Sequence, residues 1–104
     1  MLVNSLSPQQ FERAAAMLKA IAHPIRMSIV SLLEGESKLS VTEIYQELKL
    51  EQAVASHHLG ILKSKGIVES VRQGKSCFYY LKYPNISGVV RCIGQCCNKL
   101  SQID

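Results

Sequence analysis

The chain has 104 residues, 47% of them hydrophobic and 19% charged, a composition that fits one folded domain spanning residues 1–104 and excludes disordered and fibrous proteins. Twelve Lys and Arg residues against eight Asp and Glu residues give a formal net charge of +4, which permits an acidic partner without identifying one. Since the N-terminus lacks the pattern of a signal peptide and no segment approaches the roughly 20 apolar residues of a membrane span, we expect a cytoplasmic protein without a membrane partner.

The first two helices are predicted from residues that start and stop helices. Ser7, Pro8 and Gln10 combine a capping hydroxyl, a proline at the first helical position and a glutamine three residues after the cap. The helix ends ahead of Pro24, which cannot continue it and instead opens a second helix that stops near Gly35. Apolar residues recur in the first helix at spacings of three and four, at Phe11, Ala14, Ala15, Leu18, Ile21 and Ala22. This spacing gives the first helix an apolar face.

The middle of the chain predicts two short helices joined tightly. Ser40 and Glu43 form a capping box at the start of a third helix. After a link at residues 49–50, a fourth helix runs over about residues 51–65 and stops at Gly66. Two helices in this order predict a helix-turn-helix.

The remaining elements are a hairpin and a last helix. Residues 67–72 and 77–81 have the apolar and β-branched character of strands, and the turn between them contains Gly74. The last helix follows Pro84 and carries a seam at Ile86, Val90, Ile93, Cys97 and Leu100. A seam of this spacing is suited to packing against another helix.

Three stretches of the chain resemble the ArsR/SmtB family of bacterial winged-helix repressors. Residues 22–26 resemble the link into the family's second helix, residues 52–59 its recognition helix, and residues 65–68 with 74–81 its wing, so that the resemblance covers roughly residues 8–100. It implies a mainly α fold with a small β-hairpin: a winged helix-turn-helix of five helices with a two-stranded wing, which dimerises through the first and last helices. The implied function is a homodimeric repressor bound to a palindromic operator in double-stranded DNA.

The predicted reading residues lie in the fourth helix. Gln52 can pair bidentately with adenine, Ser56 can donate or accept, and His57 can meet a base edge or a phosphate. The resemblance implies contacts at these positions and at Ala53, which offers only a methyl group. The alternative is a solvated helix face. His58, beside an apolar residue, is interpreted instead as a packed or hydrogen-bonded histidine.

Positive charge gathers in the hairpin and just before it. Arg72 and Lys75 flank Gly74 at the predicted tip of the wing, where they can contact the DNA backbone or the minor groove. Lys63, near the end of the recognition helix, is a further candidate for phosphate contact. A charged, solvated turn is the alternative interpretation.

The family's usual effector sites are missing, although a pair of cysteines remains. Ser40 and Thr42 stand where the resemblance would place a Cys-x-Cys run, and residues 86–100 contain no acid and no histidine for a zinc site. Cys92 and Cys96, one helical turn apart, could bind a soft metal or metalloid or react with an oxidant, so that a thiol-directed signal lowers DNA affinity. Simple packing stays open for this pair, and no cofactor is required.

Packing is the interpretation for the two other cysteines, Cys77 and Cys97, since free cysteine also fills apolar seams. A second function class is a winged-helix protein-interaction module without an effector, because fold alone does not determine function. An enzyme is not expected, since the sequence has no redox Cys-x-x-Cys after a strand and no Gly-rich phosphate loop.

Overall fold

The chain folds into five helices and a small antiparallel sheet over residues 5–35 and 37–103, which the computed structural model describes. In chain order the elements are α1 (Pro8–Ile21), α2 (Pro24–Leu32), β1 (Leu39–Ser40), α3 (Val41–Glu47), α4 (Gln52–Ser64), β2 (Val68–Gln73), β3 (Ser76–Leu81) and α5 (Ile86–Ile103). The predicted order of five helices with a hairpin before the last one is confirmed.

Both predicted capping boxes are present. The Ser7 hydroxyl accepts a hydrogen bond from the N–H of Gln10, whose side chain accepts one from the N–H of Ser7. Ser40 and Glu43 repeat this exchange at the start of α3, at 2.9 and 3.1 Å. Each box satisfies N–H groups that a helix start leaves without partners.

The start of α2 has a cap that the sequence does not predict. His23 precedes Pro24 in extended backbone, and its Nδ1 accepts a hydrogen bond from the N–H of Ile25 at 3.1 Å. Histidine is not among the preferred capping residues. An imidazole nitrogen without a proton nevertheless provides the acceptor that the helix start needs.

Two similar turns end α3 and α4. After α3, the N–H of Leu50 bonds to the carbonyl of Tyr45 and that of Lys49 to the carbonyl of Gln46, a Schellman motif. Lys49 has φ of 56° and Gly66, in the same place after α4, has φ of 76°. Gly66 is the predicted stop, whereas the left-handed lysine is a conformation that non-glycine residues rarely adopt. This turn makes the link between α3 and α4 tight.

The sheet has three strands in the order β1-β3-β2, so the predicted two-stranded wing, β2 with β3, is confirmed and is extended by one short strand that the sequence does not predict. β2 and β3 pair from Val68 with Leu81 to Gln73 with Ser76, around a two-residue turn at Gly74 and Lys75. The additional strand, β1, pairs antiparallel with the middle of β3. Two residues are too few for the alternation by which a strand is predicted.

The core lies where α2, α3 and α4 meet the base of the hairpin. Its largest fully buried side chains are Ile29, Val30, Leu33, Ile44, Leu59, Leu62, Ile67 and Val68. None of the described helices combines the length and apolarity that a bilayer-spanning segment needs. The packing holds α4 by one side only and leaves its other side toward solvent.

Candidate nucleic-acid interface

The helix α4 has one buried and one exposed face. Its buried side chains are Ala55, His58, Leu59 and Leu62. Gln52, Ala53, Ser56 and His57 are all exposed, and their spacings of one and four residues put them on the opposite side of the helix. The structure therefore brings together on one surface the four residues predicted to meet base edges.

Gly60 continues this surface one turn beyond Ser56, and sequence reasoning missed it. It is exposed, and a Cβ added there would meet no atom within 4 Å. Glycine inside a helix costs roughly 1 kcal/mol relative to alanine, and neither packing nor a left-handed backbone explains it here. A glycine at an exposed position of this kind permits close approach of another backbone to the helix. A signal for Gly60 is present in the sequence: since Gly66 already provides the stop of this helix, a second glycine inside the helical pattern has no role in ending it.

The N-terminus of α4 lacks a side-chain cap. Glu51 occupies the cap position but makes no side-chain hydrogen bond to the helix, whereas Ser7, His23 and Ser40 cap the three earlier helices. The first N–H groups of α4 are therefore without a capping acceptor, and the positive end of the helix dipole is suited to an anion such as phosphate.

The tip of the wing carries two exposed cations. Arg72 and Lys75 flank Gly74, and all three residues are exposed. Neither cation forms an ion pair with any residue in the described ranges. At the base of the hairpin, Nζ of Lys82 lies 3.6 Å from Oε1 of Glu69 and offsets the charge of this carboxylate. The wing therefore presents uncompensated positive charge at its tip.

Lys63 contacts the wing. Its Nζ donates a hydrogen bond to the hydroxyl of Ser70 at 2.7 Å, which joins the last turn of α4 to β2. Both residues lie at the surface. An ammonium group has three donors, so two N–H groups of Lys63 stay available to a phosphate.

His58 lies inside the domain, away from the exposed face of α4. Its side chain is 8% exposed, and its ring stacks on that of His23 with centroids 4.4 Å apart. Burial lowers the pKa of His58 from 6.5, and the charges of His23, His57 and Arg26 lower it further. His58 is therefore neutral at pH 7 and has the packed position that the sequence favours.

The cysteines are free thiols in different surroundings. Cys92, Cys96 and Cys97 are exposed on α5, so the packing expected of Cys97 would require a second chain. Cys77 is half-buried, and the pKa of nearby Tyr79 is raised chiefly by burial. Among the described residues, no group of three or more His, Cys, Asp or Glu side chains could hold a metal ion.

α1 and α5 expose apolar side chains that the core does not cover. On α1, Phe11 is 60% and Leu18 is 51% exposed, and on α5 the values are 49% for Ile93 and 64% for Leu100. An apolar groove of about 390 Å³ lies between the two helices, lined by residues that include Leu18 and Val89. We call this surface the apolar face. Exposed apolar patches of this kind mark interaction sites.

Known proteins share both sequence and arrangement with this chain. A family described as a helix-turn-helix domain matches residues 21–71. The transcriptional repressor PagR of Bacillus anthracis is 37% identical over 88 residues, which cover 85% of this chain and 88% of PagR. The HTH-type transcriptional repressor SmtB of Mycobacterium tuberculosis is 35% identical over 79 residues, covering 76% of this chain and 58% of SmtB.

Solved structures extend the similarity to the fold. The crystal structure of PagR matches with a TM-score of 0.75 at 34% identity, covering 84% of this chain and 99% of that one. A second match is the homodimeric winged helix-turn-helix DNA-binding domain of Mb0332 from Mycobacterium bovis, a possible ArsR-family regulator. Its TM-score is 0.74 at 22% identity, and the match covers 98% of this chain and 96% of that domain. At that identity the second match shows the fold alone. The winged helix-turn-helix architecture predicted from the sequence is confirmed.

Proposed function

Since this chain belongs to the ArsR/SmtB family of winged helix-turn-helix transcriptional regulators, we propose that it is a homodimeric repressor that binds a palindromic operator in double-stranded DNA. The observation that carries this proposal is the single exposed face of α4, which gathers Gln52, Ser56 and His57 beside a positively charged wing. A helix held by one side and polar on the other fits the major groove.

Within the groove, α4 reads base edges. Gln52 pairs bidentately with an adenine, Ser56 donates or accepts, and His57 meets a base edge or a phosphate, while Ala53 offers its methyl group to a thymine. Gly60 and the uncapped N-terminus of α4 support close approach of the DNA backbone at the two ends of this face.

The wing supplies contacts that do not depend on sequence. Arg72 and Lys75 extend from the hairpin tip to the phosphates or into the minor groove. Lys63 contacts a phosphate with the donors that Ser70 leaves available. Affinity is then sensitive to salt through the wing and to sequence through α4.

The dimer forms through the apolar face of α1 and α5. Phe11, Leu18 and Ile93 lose their exposure when a second copy covers this face. A two-fold axis there would set two recognition helices about 34 Å apart, one turn of DNA, which matches a palindromic site.

A thiol-directed signal lowers DNA affinity in this proposal. Cys92 and Cys96 are exposed on α5, and Cys96 follows Ile93 by three residues and so lies toward the apolar face. Across a dimer the thiols of two chains double in number and can bind a soft metal or metalloid or be oxidised. DNA binding itself needs no cofactor, and we infer that the protein acts in the cytoplasm without catalysis.

Selection of bound duplexes from a random DNA pool tests the function. We expect an enriched palindrome and salt-sensitive binding, and release by arsenite, cadmium or polysulfide that is lost in Cys92→Ser/Cys96→Ser. Release unchanged in that variant would remove the two cysteines from sensing. Failure to enrich any sequence would contradict DNA reading and favour a protein-interaction module.

A further inference from the structure

Three histidines and an arginine meet where α2 packs on α4. The rings of His23 and His58 lie 4.4 Å apart at an angle of 38°, and the ring of His57 meets His58 edge-on at 5.0 Å. Arg26, in the first turn of α2, donates from Nη1 to the carbonyl of Ala20 at 2.9 Å. Its Nε is buried and has no partner among the described residues. This junction gathers four groups that are positively charged when protonated.

The contacts of His23 and His58 require neutral rings. Nδ1 of His23 caps α2 by accepting the hydrogen bond of Ile25 at 3.1 Å, so that nitrogen cannot also carry a proton. Nδ1 of His58 is buried and lacks a partner within the described ranges. A proton on His58 would place a charge at a buried nitrogen that has no acceptor among the described residues.

Within residues 5–35 and 37–103, no carboxylate offsets such a charge. α1, α2, α3 and β2 all pack on α4. The groups that act electrostatically on His58 are His23 and Arg26, at the start of α2, and His57 on α4 itself, and each of them disfavours its protonation. Among the described residues, no charged side chain of α1, α3 or β2 counteracts them. Acid therefore produces repulsion across the contact between α2 and α4.

We propose that His23 and His58 form a proton-sensitive joint that keeps α4 in its DNA-binding orientation only while both rings are neutral. His58 is a positioning residue here: it touches no DNA and acts through α4 and its exposed neighbour His57. The inference rests on the proposed function and adds a regulation to it, the release of DNA on acidification.

The sign of the change in DNA affinity on acidification distinguishes protonation of the joint from protonation of a histidine at the DNA surface. A proton on an exposed histidine at the DNA surface, such as His57, adds positive charge and strengthens binding to phosphates. A proton in the joint has the opposite consequence, because it disturbs the packing that holds the reading helix. Weaker binding in acid therefore reports on the buried pair.

The test compares dissociation constants at pH 7.5 and 5.5 in constant salt, using a duplex selected from a random pool. The unaltered protein should bind on the order of tenfold more weakly at pH 5.5. DNA binding would then require the loss of one histidine proton, and this pH lies about one unit below the usual pKa of histidine. His58→Phe keeps an aromatic ring that cannot titrate, and His23→Asn keeps a capping acceptor. His58→Phe should lose the weakening, and His23→Asn should reduce it, because asparagine adds no positive charge beside His58.

A histidine NMR titration of the free protein gives a readout without DNA. The pKa of His58 should lie below 6.5 and move toward 6.5 in His23→Asn, which keeps a capping acceptor for α2 and provides the readout if His58→Phe does not fold. Equal or tighter binding at pH 5.5, or weakening that persists in His58→Phe, would overturn the joint. Absence of DNA binding at both pH values would overturn the proposed function instead, and the joint then stands or fails on the NMR titration.

Discussion

The ammonium group of Lys63 donates to the hydroxyl of Ser70, 2.7 Å away, and so ties the end of the recognition helix α4 to the wing strand β2. The two elements that we propose to contact DNA are thus linked outside the core, by a polar contact at the surface. Contacts of this kind contribute little to stability in water. The relevance of this contact is that it joins the helix to the wing directly.

Two substitutions distinguish the link between Lys63 and Ser70 from a phosphate contact by Lys63. Lys63→Gln removes a charge and should lower the slope of log affinity against log salt by about 0.9, as the loss of one phosphate contact does. Ser70→Ala removes only the acceptor and should leave that slope unchanged while weakening binding slightly. Dissociation constants measured over a salt series check this, and equal slopes for the two variants would contradict phosphate contact by Lys63.

The wing tip and the reading helix should respond differently to substitution. Arg72→Gln/Lys75→Gln should weaken binding to all duplexes and lower the salt slope by about 1.8, for two lost phosphate contacts. Gln52→Ala should cost about 1–3 kcal/mol on the preferred site and relax selection at one base pair. Repeating the random-pool selection with both variants provides the measurement. An equal loss of specificity in both would exclude this division.

Gly60→Ala should strengthen the fold and weaken the function. Alanine there meets no neighbouring atom within 4 Å and favours the helix, so the free energy of unfolding should rise by about 0.5–1 kcal/mol. The added methyl group would stand on the DNA-facing side, and DNA affinity should fall. Gly94→Ala, in α5 and equally without contacts, is the matched control for stability. If both variants bind DNA alike, Gly60 has no role in DNA approach.

Leu18→Glu should divide the dimer without unfolding the chain. Leu18 is half exposed, so the core tolerates the change, while a charge on the apolar face opposes association. Sedimentation should show a monomer, and affinity for a palindromic duplex should fall about a hundredfold or more, because the two half-sites no longer act together. Gln46→Glu, exposed on α3, is the control. A dimer that survives Leu18→Glu would place the interface elsewhere.

The ends of most helices could be predicted because single residues encode them. Ser7, Ser40 and Gly66 act as their residue types suggest. The cap by His23 and the left-handed turn at Lys49 could not be predicted, because other residue types are preferred at both positions. There the packing of α2 on α4 and the tight link between α3 and α4 prevail over local preference.

The exposed face of α4 could be predicted for a related reason. The spacing of Ala55, Leu59 and Leu62 defines a buried side, so the exposed side follows from it. The link from Lys63 to Ser70 could not, because it depends on where two separate elements lie in space. The apolar spacing in α1 also does not distinguish residues buried in the core from apolar residues that stay exposed, such as Leu18.

The place of β3 between β1 and β2 makes β2 an edge strand of the sheet. Its outer side offers unpaired N–H and C=O groups, a template on which a strand from another molecule could assemble. The charges of Glu69 and Arg72 on this strand oppose such pairing. Arg72, the residue of this strand that we propose for the DNA backbone, would therefore also help to protect the protein against aggregation whenever its operator is unoccupied.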